Sequence, residues 1–269
     1  MTRTIVVTGA GSGIGKASAE MLRAQGENVI GVDLKGADIE VNLTDADSIA
    51  AMVSAISQSH EHIDGIVANA GTQSNSPLDL KVNFFGAVDT IEALRPLLEK
   101  SDAPRVAITA SAASLQPTDY HLVELLLDGK KDEALVYGET LVNAGQRSGY
   151  VNYSASKRAI ATWVRRVAPT QDFAGKGIAI NAIGPGVVRT AMTKQLLSSE
   201  QGTQMALQAM PAPLNGAADP EAIAAVLAFL VSEHNASMTG QVIYVDGGFD
   251  ATAQGRGADI WHSPRHIDG

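Results

Sequence analysis

The chain has 269 residues, 45% of them hydrophobic, which is enough for one large domain with a substantial core. It carries 29 acidic and 20 basic residues, and the net charge of −9 argues against nucleic acid as a partner, because a negative surface repels the phosphate backbone. The absence of cysteine excludes disulfides and cysteine-ligated metals, and no apolar run reaches the length of a signal-peptide core or a membrane span, so we expect a cytoplasmic protein with no membrane partner.

Short β-branched runs alternate along the chain with longer segments of helical period. The predicted strands are 4–7, 28–32, 39–41, 63–68, 105–108, 177–183 and 241–245. The predicted helices are 14–25, 45–57, 84–99, 152–174 and 219–231. The segment 115–150 adds a helix-like stretch at 120–127, a charged turn at 128–133 and a second helical patch at 134–144. This alternation indicates βαβ units and predicts an α/β fold, a doubly wound parallel sheet of about seven strands. No repeat, low-complexity tract or linker interrupts the pattern, so 1–269 is predicted to be a single domain.

The first predicted strand leads into a glycine-rich segment, TGAGSGIG at residues 8–15, where the first helix begins. Glycines allow the backbone to turn sharply and approach a pyrophosphate, whose charge is met by free N–H groups at the helix N-terminus. Such a segment can also be a plain turn. Its place between a strand and a helix favours a Rossmann-like dinucleotide site.

Asp33 ends the second predicted strand. A carboxylate there accepts hydrogen bonds from the adenosine ribose and repels a 2′-phosphate, which favours NAD over NADP. The alternative is a solvated acid at a strand end. Lys35, two positions later, is the nearby feature that would weaken the discrimination.

Tyr153 and Lys157 occur in the segment YSASK, where i, i+4 spacing places them on one helix face. A free tyrosine has a pKa of about 10, and a nearby cation lowers it by roughly one to three units. Lys157 is therefore expected to make Tyr153 a usable proton acceptor. The alternative is a surface Tyr–Lys pair.

Ser111 follows the fifth predicted strand, in the segment TASAAS at residues 109–114. Ligands of open α/β folds bind at this edge of the sheet, and a serine hydroxyl there can stabilise negative charge on a substrate oxygen. Thr109 and Ser114 are neighbouring hydroxyls that a different register would select.

Four motifs in order, TGxxxGIG at 8–15, NAG at 69–71, YxxxK at 153–157 and NxxxPG at 181–186, show that the chain resembles the short-chain dehydrogenase/reductase family over nearly its whole length. The resemblance implies hydride transfer between NAD and a secondary alcohol or ketone, in a homodimer or homotetramer. It implies Asn83, Ser111, Tyr153 and Lys157 as catalytic residues, with Asn83 bending a helix and holding a water linked to Lys157. It implies cofactor contacts from Gly9, Ser12, Gly13, Ile14, Asp33, Asn42, Leu43, Asn69, Ala70, Gly71, Tyr153, Lys157, Pro185, Gly186, Val188 and Thr190.

The chain departs from the family pattern at two positions outside these four motifs. Asn42 replaces the usual Asp near the adenine, which keeps a hydrogen-bonding oxygen and loses the charge. Ala110 replaces the first serine of the family's S-S pattern, whose second serine aligns with Ser111.

Three segments are candidates for setting the substrate: a lid at 190–214, an insertion at 115–150 and a tail at 250–269. The lid carries Met192, Leu196, Leu197, Met205, Leu207 and Met210, which favour a bulky apolar substrate but also suit ordinary packing. The insertion resembles that of bacterial 3α-hydroxysteroid dehydrogenase/carbonyl reductases, so we expect a cyclic substrate such as a steroid or terpenoid alcohol, with Gln116, Tyr120 and Leu122 as wall residues. The insertion can instead form a subunit interface, and the tail either is disordered or closes a neighbour's pocket.

Three other functions remain open. A catalytically silent NAD(H)-binding regulator would be expected to lose Tyr153 or Lys157, and both are present. A reductase of a small non-cyclic carbonyl compound is a second alternative. A metal enzyme would have to use His60 with His62, or His262 with His266, which are expected to be solvated, so no metal is predicted.

Overall fold

Seven parallel strands form one sheet in the computed structural model, which describes residues 2–258 and 260. They are β1 Thr4–Thr8, β2 Asn28–Asp33, β3 Ile39–Glu40, β4 Gly65–Ala68, β5 Arg105–Thr109, β6 Ala179–Pro185 and β7 Val242–Val245. Their order in the sheet is β3-β2-β1-β4-β5-β6-β7, so the direction of winding reverses between β1 and β4. The predicted doubly wound α/β fold is confirmed, and the reversal marks the crevice where ligands of such sheets bind.

Helices cover both faces of this sheet. They are α1 Gly13–Ala24, α2 Ala46–Ser59, α3 Leu78–Leu80, α4 Ala87–Leu98, α5 Tyr120–Leu127, α6 Lys131–Asn143, α7 Gln146–Val167, α8 Glu200–Ala209 and α9 Pro220–Val231. Local signals explain several starts: Asp45 caps α2 by accepting a hydrogen bond from the Asp47 N–H, and proline occupies the first turn of α9. Among the described residues, no helix is long and apolar enough to cross a bilayer.

The core forms two layers because successive strand residues point to opposite faces of the sheet. Val6 and Ile66 pack on the face covered by α2, α4 and α7, whereas Ile5 and Val7 pack on the face covered by α1 and α9. All four side chains are essentially inaccessible to solvent. Burial on both faces explains why the strands read as continuous apolar runs in the sequence.

Three predicted helix boundaries were wrong. The segment predicted as a helix over 84–99 is a π-helical turn at Lys81–Gly86 followed by α4. The helix predicted at 152–174 begins earlier, after Gly145 at φ 132°, and ends at Val167 because Pro169 has no backbone N–H to continue it. In the insertion, α6 begins at Lys131, within the charged stretch 128–133 that was interpreted as a turn.

The start of the predicted tail packs on the body of the protein. The Arg256 guanidinium pairs with Asp250 and lies 5.1 Å from the ring centroid of Tyr244. Trp261, His262 and His266 lie outside the described residues.

Candidate active site

A cavity of about 740 Å³ opens at the carboxyl ends of the strands, beside the point where the sheet order reverses. It brings together nearly all the predicted site residues. Those that line it are Gly9, Ser12, Gly13, Ile14, Asp33, Asn42, Leu43, Asn69, Ala70, Gly71, Ser111, Tyr153, Lys157, Pro185, Gly186, Val188 and Thr190. Asn83 is the predicted site residue that does not line the cavity.

The glycine loop is shaped so that only small residues fit. Gly9 and Gly13 have φ of 71° and 53°, which side-chain-bearing residues rarely adopt. A Cβ on Gly15 would lie 2.1 Å from the carbonyl oxygen of Gly9. Ser12 precedes α1 without a side-chain capping bond, so the first N–H groups of the helix are left for an anion.

Asp33 lies beside this loop, where its carboxylate accepts hydrogen bonds from the Gly11 N–H at 2.9 Å and the Leu34 N–H at 2.6 Å. The negative charge is therefore fixed at the end of the cavity that Leu43 also lines. The side-chain amide oxygen of Asn42 accepts from the backbone N–H and the hydroxyl of Thr44. The oxygen that the sequence suggested as a hydrogen-bonding group near the adenine is therefore engaged locally.

Thr8 and Thr109 hold the NAG segment in place. The Thr8 hydroxyl accepts from the backbone N–H groups of Asn69 and Ala70, each at 3.0 Å. The Asn69 amide oxygen accepts from the Thr109 hydroxyl at 3.0 Å. These bonds join β1, β4 and β5 at the floor of the cavity.

Asn83 lies in the π-helical turn and is 2% exposed. Its amide nitrogen donates to the Thr72 carbonyl at 2.9 Å and to the Ser156 hydroxyl at 3.1 Å, and its oxygen accepts from the Thr72 N–H at 2.8 Å. Asn83 thus ties the loop after β4 to α7, next to Lys157. The extra residue per turn of a π-helix directs this side chain inward.

Tyr153, Ser111 and Lys157 converge at the wall of the cavity. The Lys157 ammonium donates to the Thr109 carbonyl at 3.0 Å and lies 5.9 Å from the Tyr153 ring centroid. Burial lowers the pKa of Lys157 to about 8, although the negative charge of Asp79 partly opposes this effect. Burial also raises the pKa of Tyr153, while its hydrogen bond with Ser111 acts in the opposite direction.

The expectation that Lys157 lowers the pKa of Tyr153 was therefore wrong for the protein without cofactor. Lys157 is 4% exposed and Tyr153 is half-buried, and loss of hydration disfavours the phenolate and the ammonium alike. The Lys157 ammonium is hydrogen-bonded to the backbone of β5 rather than to the phenol. Tyr153 is thus a protonated phenol at neutral pH, which suits it to give a proton.

The three hydroxyls that competed in the sequence occupy different environments. The Thr109 hydroxyl is used by Asn69, and the Ser114 hydroxyl is 2.8 Å from that of Tyr244. Ser111 caps the short 3₁₀ turn Ala112–Leu115 by accepting from the Ala113 N–H, and it is the one of the three that lowers the pKa of Tyr153.

Of the three wall residues predicted in the insertion, one lines the cavity and two do not. Gln116 lines the cavity, as do Met192, Leu196 and Met210 of the lid segment. Tyr120 is 67% exposed and Leu122 fully buried, and neither lines the cavity, so assigning them to its wall was wrong. Helix α5 packs against α7, which places Leu122 in the core, whereas the exposed Tyr120 ring lies 5.9 Å from the Arg158 guanidinium of α7. From the lid, Leu197, Met205 and Leu207 also lie outside the cavity lining.

Two residues near Tyr153 were missed in the sequence. Tyr150 lines the cavity one helical turn before Tyr153, and the i, i+3 spacing was the signal that could have found it. Asp79 is fully buried and accepts hydrogen bonds from Ser74 and Asn75, and nothing in the sequence distinguishes it from a surface acid.

The histidines considered as metal ligands lie apart from the cavity. His60 is 3.1 Å from the Asn28 amide, and His62 is 3.4 Å from Asp64 at the opposite edge of the sheet. Within residues 2–258 and 260, no three or more His, Asp or Glu side chains are grouped so that they could hold a metal ion.

Comparison with known proteins matches residues 3–122 to the short chain dehydrogenase family and residues 131–250 to a related family described as enoyl-(acyl carrier protein) reductase. A 3-alpha-hydroxysteroid dehydrogenase/carbonyl reductase of Comamonas testosteroni is 30% identical over 92% of this chain and 96% of its own length. The chain belongs to the short-chain dehydrogenase/reductase family.

Other relatives of this short-chain dehydrogenase/reductase differ in what they act on. A 3-oxoacyl-acyl-carrier-protein reductase of Vibrio cholerae is 29% identical over 91% of this chain and 96% of its own length. The crystal structure of a 3-alpha-hydroxysteroid dehydrogenase from Pseudomonas sp. B-0831, complexed with NADH, superposes with a TM-score of 0.83 at 31% identity and covers 92% of this chain and 97% of that one. The protein is therefore an oxidoreductase of this family that acts on alcohol or ketone groups and uses a nicotinamide cofactor.

The residues present fit such a cofactor. A glycine loop so closely packed that Gly15 admits no Cβ, the uncapped start of α1, and an acid at the adenosine end match a pyrophosphate flanked by a ribose. Thr190 reaches within 3.3 Å of a Cβ placed on Gly13, so the lid segment adjoins this cradle.

Proposed function

We propose that this enzyme interconverts a secondary alcohol and a ketone with NAD(H), using Tyr153, Ser111, Lys157 and Asn83 as its catalytic residues. One observation carries the proposal: Tyr153, Ser111 and the buried Lys157 lie in the wall of the same cavity as the glycine cradle. A proton donor and a dinucleotide site that share one cavity are what hydride transfer to a carbonyl requires.

When bound, the nicotinamide cofactor supplies or accepts the hydride. In ketone reduction Tyr153 gives its proton to the carbonyl oxygen, so that the C=O bond becomes C–H and O–H. Ser111 hydrogen-bonds the same oxygen while negative charge develops there. Lys157, held by the Thr109 carbonyl, places a positive charge close to the phenolate that Tyr153 becomes, and Asn83 fixes the loop and helix around it.

The burial of Tyr153 sets the pH dependence of the two directions. Its raised pKa keeps the phenol protonated at neutral pH, which favours reduction. Alcohol oxidation needs the phenolate, so its rate is expected to rise towards alkaline pH.

Asp33 supports NAD as the preferred cofactor. Its carboxylate is fixed by the Gly11 and Leu34 N–H groups at the adenosine end of the cavity, where a 2′-phosphate would meet its charge.

The cavity walls support a cyclic apolar substrate, such as a steroid or terpenoid alcohol. Met192, Leu196 and Met210 contribute apolar side chains to the lining, and thioethers adapt to irregular shapes. The hydroxysteroid dehydrogenase relatives favour the same class.

The test is transfer of deuterium from NADH deuterated at the nicotinamide C4 to a panel of cyclic ketones, followed by mass spectrometry of the alcohols. We expect one deuterium on the carbinol carbon, and faster transfer from NADH than from NADPH. Binding of NADH without any transfer would support the silent regulator instead, and transfer confined to small linear ketones would contradict the cyclic substrate.

We further propose that the enzyme works in the cytoplasm as a homodimer or homotetramer. This assignment rests on the family resemblance, and light scattering of the purified protein tests the number of subunits.

A further inference from the structure

Residues at the two ends of the insertion line the cavity, whereas α5 and α6 between them do not. Gln116 stands at its start, directly after the 3₁₀ turn that begins at Ser111, and Tyr150 stands at its end in α7. The Tyr150 hydroxyl donates to the Gln116 amide oxygen at 2.7 Å, which joins positions 34 residues apart. Both side chains line the cavity.

This hydrogen bond determines which polar atoms face the substrate. Because the Gln116 oxygen is taken by Tyr150, the Gln116 amide nitrogen keeps two donors, and the Tyr150 oxygen keeps a lone pair. Burial raises the pKa of Tyr150, so its phenol stays neutral and does not compete with Tyr153 as a proton donor. The two tyrosine rings are 5.7 Å apart, so one substrate molecule can contact both groups.

The surroundings of the pair restrict the group it would bind. The cavity that the pair faces has apolar side chains in its lining, with Ala113, Met192 and Leu196 among them. A donor facing an apolar ligand stays unpaired and costs free energy, whereas a ligand oxygen recovers the bond. Lys157 is the cation among the described lining residues, and its ammonium is bonded to Thr109, so a carboxylate at Gln116 would lack a counter-charge.

We propose that the Gln116–Tyr150 pair is a specificity element that binds a second, uncharged oxygen of the substrate, a carbonyl or a hydroxyl. This inference rests on the proposed ketone reduction and narrows it. The preferred substrates are diketones or hydroxyketones on an apolar ring skeleton, with one oxygen at Tyr153 and the other at the pair.

Matched ketones test the proposal. NADH-dependent kcat and KM are measured for cyclohexanone with cyclohexane-1,4-dione, and for androstan-3-one with androstane-3,17-dione. For each protein, kcat/KM for the diketone is divided by kcat/KM for the monoketone. The ratio for each variant is then compared with the wild-type ratio, so that the intrinsic reactivity of the compounds cancels. Gln116→Met removes both amide atoms at similar length, and Gln116→Glu keeps the oxygen that accepts from Tyr150 but loses the N–H₂ donor.

We expect both Gln116 variants to lower the ratio on the order of tenfold for at least one pair, because the diketone loses a hydrogen bond that the monoketone does not make, and the loss should appear mainly as a higher KM for the diketone. If the hydrogen bond between Gln116 and Tyr150 were only structural, its loss would lower kcat/KM for the diketone and for the monoketone alike. The control is Tyr137→Phe, which removes a hydrogen bond to Asp119 within the insertion and away from the cavity, and should leave the ratio unchanged.

An unchanged ratio in folded Gln116→Met and Gln116→Glu, with monoketone reduction intact, would overturn the specificity element and leave the proposed function standing. A wild-type enzyme that binds NADH but reduces neither member of either pair, nor any compound of the wider ketone panel, would overturn the proposed function itself and the inference with it.

Discussion

The burial of Lys157 makes a quantitative prediction about stability without cofactor. Lys157 is 4% exposed, and its pKa falls from 10.5 to about 8 on folding. Between those pH values the unfolded chain binds more protons than the folded one, so the free energy of unfolding rises with pH across this window. At about 1.4 kcal/mol per pKa unit, Lys157 alone contributes an increase of about 3 kcal/mol.

Lys157→Met removes this increase while filling a similar volume. Urea unfolding of both proteins from pH 8 to 10.5 gives the difference between their profiles, in which the titrations of other groups cancel. We expect this difference to change by about 3 kcal/mol, in favour of wild type at high pH. The control Lys16→Met replaces a lysine whose side chain is 58% exposed and should give a flat difference. Parallel profiles for wild type and Lys157→Met would refute the reasoning, because they would mean that the ammonium is not desolvated.

Three further predictions concern the cofactor and the substrate oxygen. Gly15→Ala places a methyl group 2.1 Å from the Gly9 carbonyl oxygen, so fluorescence titration should show NADH binding weakened about tenfold or more, and unchanged affinity would contradict the cradle. Asp33→Asn keeps an oxygen that can accept from the Gly11 N–H but loses the negative charge. The ratio of kcat/KM for NAD over NADP should therefore fall about tenfold. A constant ratio would mean that Asp33 does not determine the cofactor preference. Ser111→Ala should lower kcat about a hundredfold or more. It should also shift the alkaline rise of alcohol oxidation to higher pH, because Ser111 lowers the pKa of Tyr153. A variant that works at the wild-type rate would show that Ser111 takes no part in the reaction.

The sheet and the cofactor end of the site were predictable because their signals are local. The segment at 8–15 needs glycines because its backbone conformation and close packing exclude a Cβ at several positions. The buried strands are recognisable as continuous apolar runs even before it is known which strands pair. Residues 69–71 follow β4 and residues 181–186 end β6, at the same edge of the sheet, so their convergence follows from the topology.

The substrate end was less predictable because it depends on long-range packing. The contact between Gln116 and Tyr150 joins the two ends of an insertion, and no pattern in either segment announces it. Tyr120 and Leu122 were misplaced because the sequence predicts α5 but not which of its faces meets α7. The pKa of Tyr153 was expected to fall because spacing reveals Lys157 but not the depth of burial, which dominates.

The most direct test of the proposed chemistry is NADH formation from NAD and a panel of cyclic secondary alcohols by Tyr153→Phe, with NADH affinity measured on the same samples. We predict that the variant binds NADH as wild type does and loses turnover by at least about a hundredfold, because the proton acceptor is gone while the cradle is intact. A Tyr153→Phe enzyme that oxidises these alcohols at the wild-type rate would contradict the account.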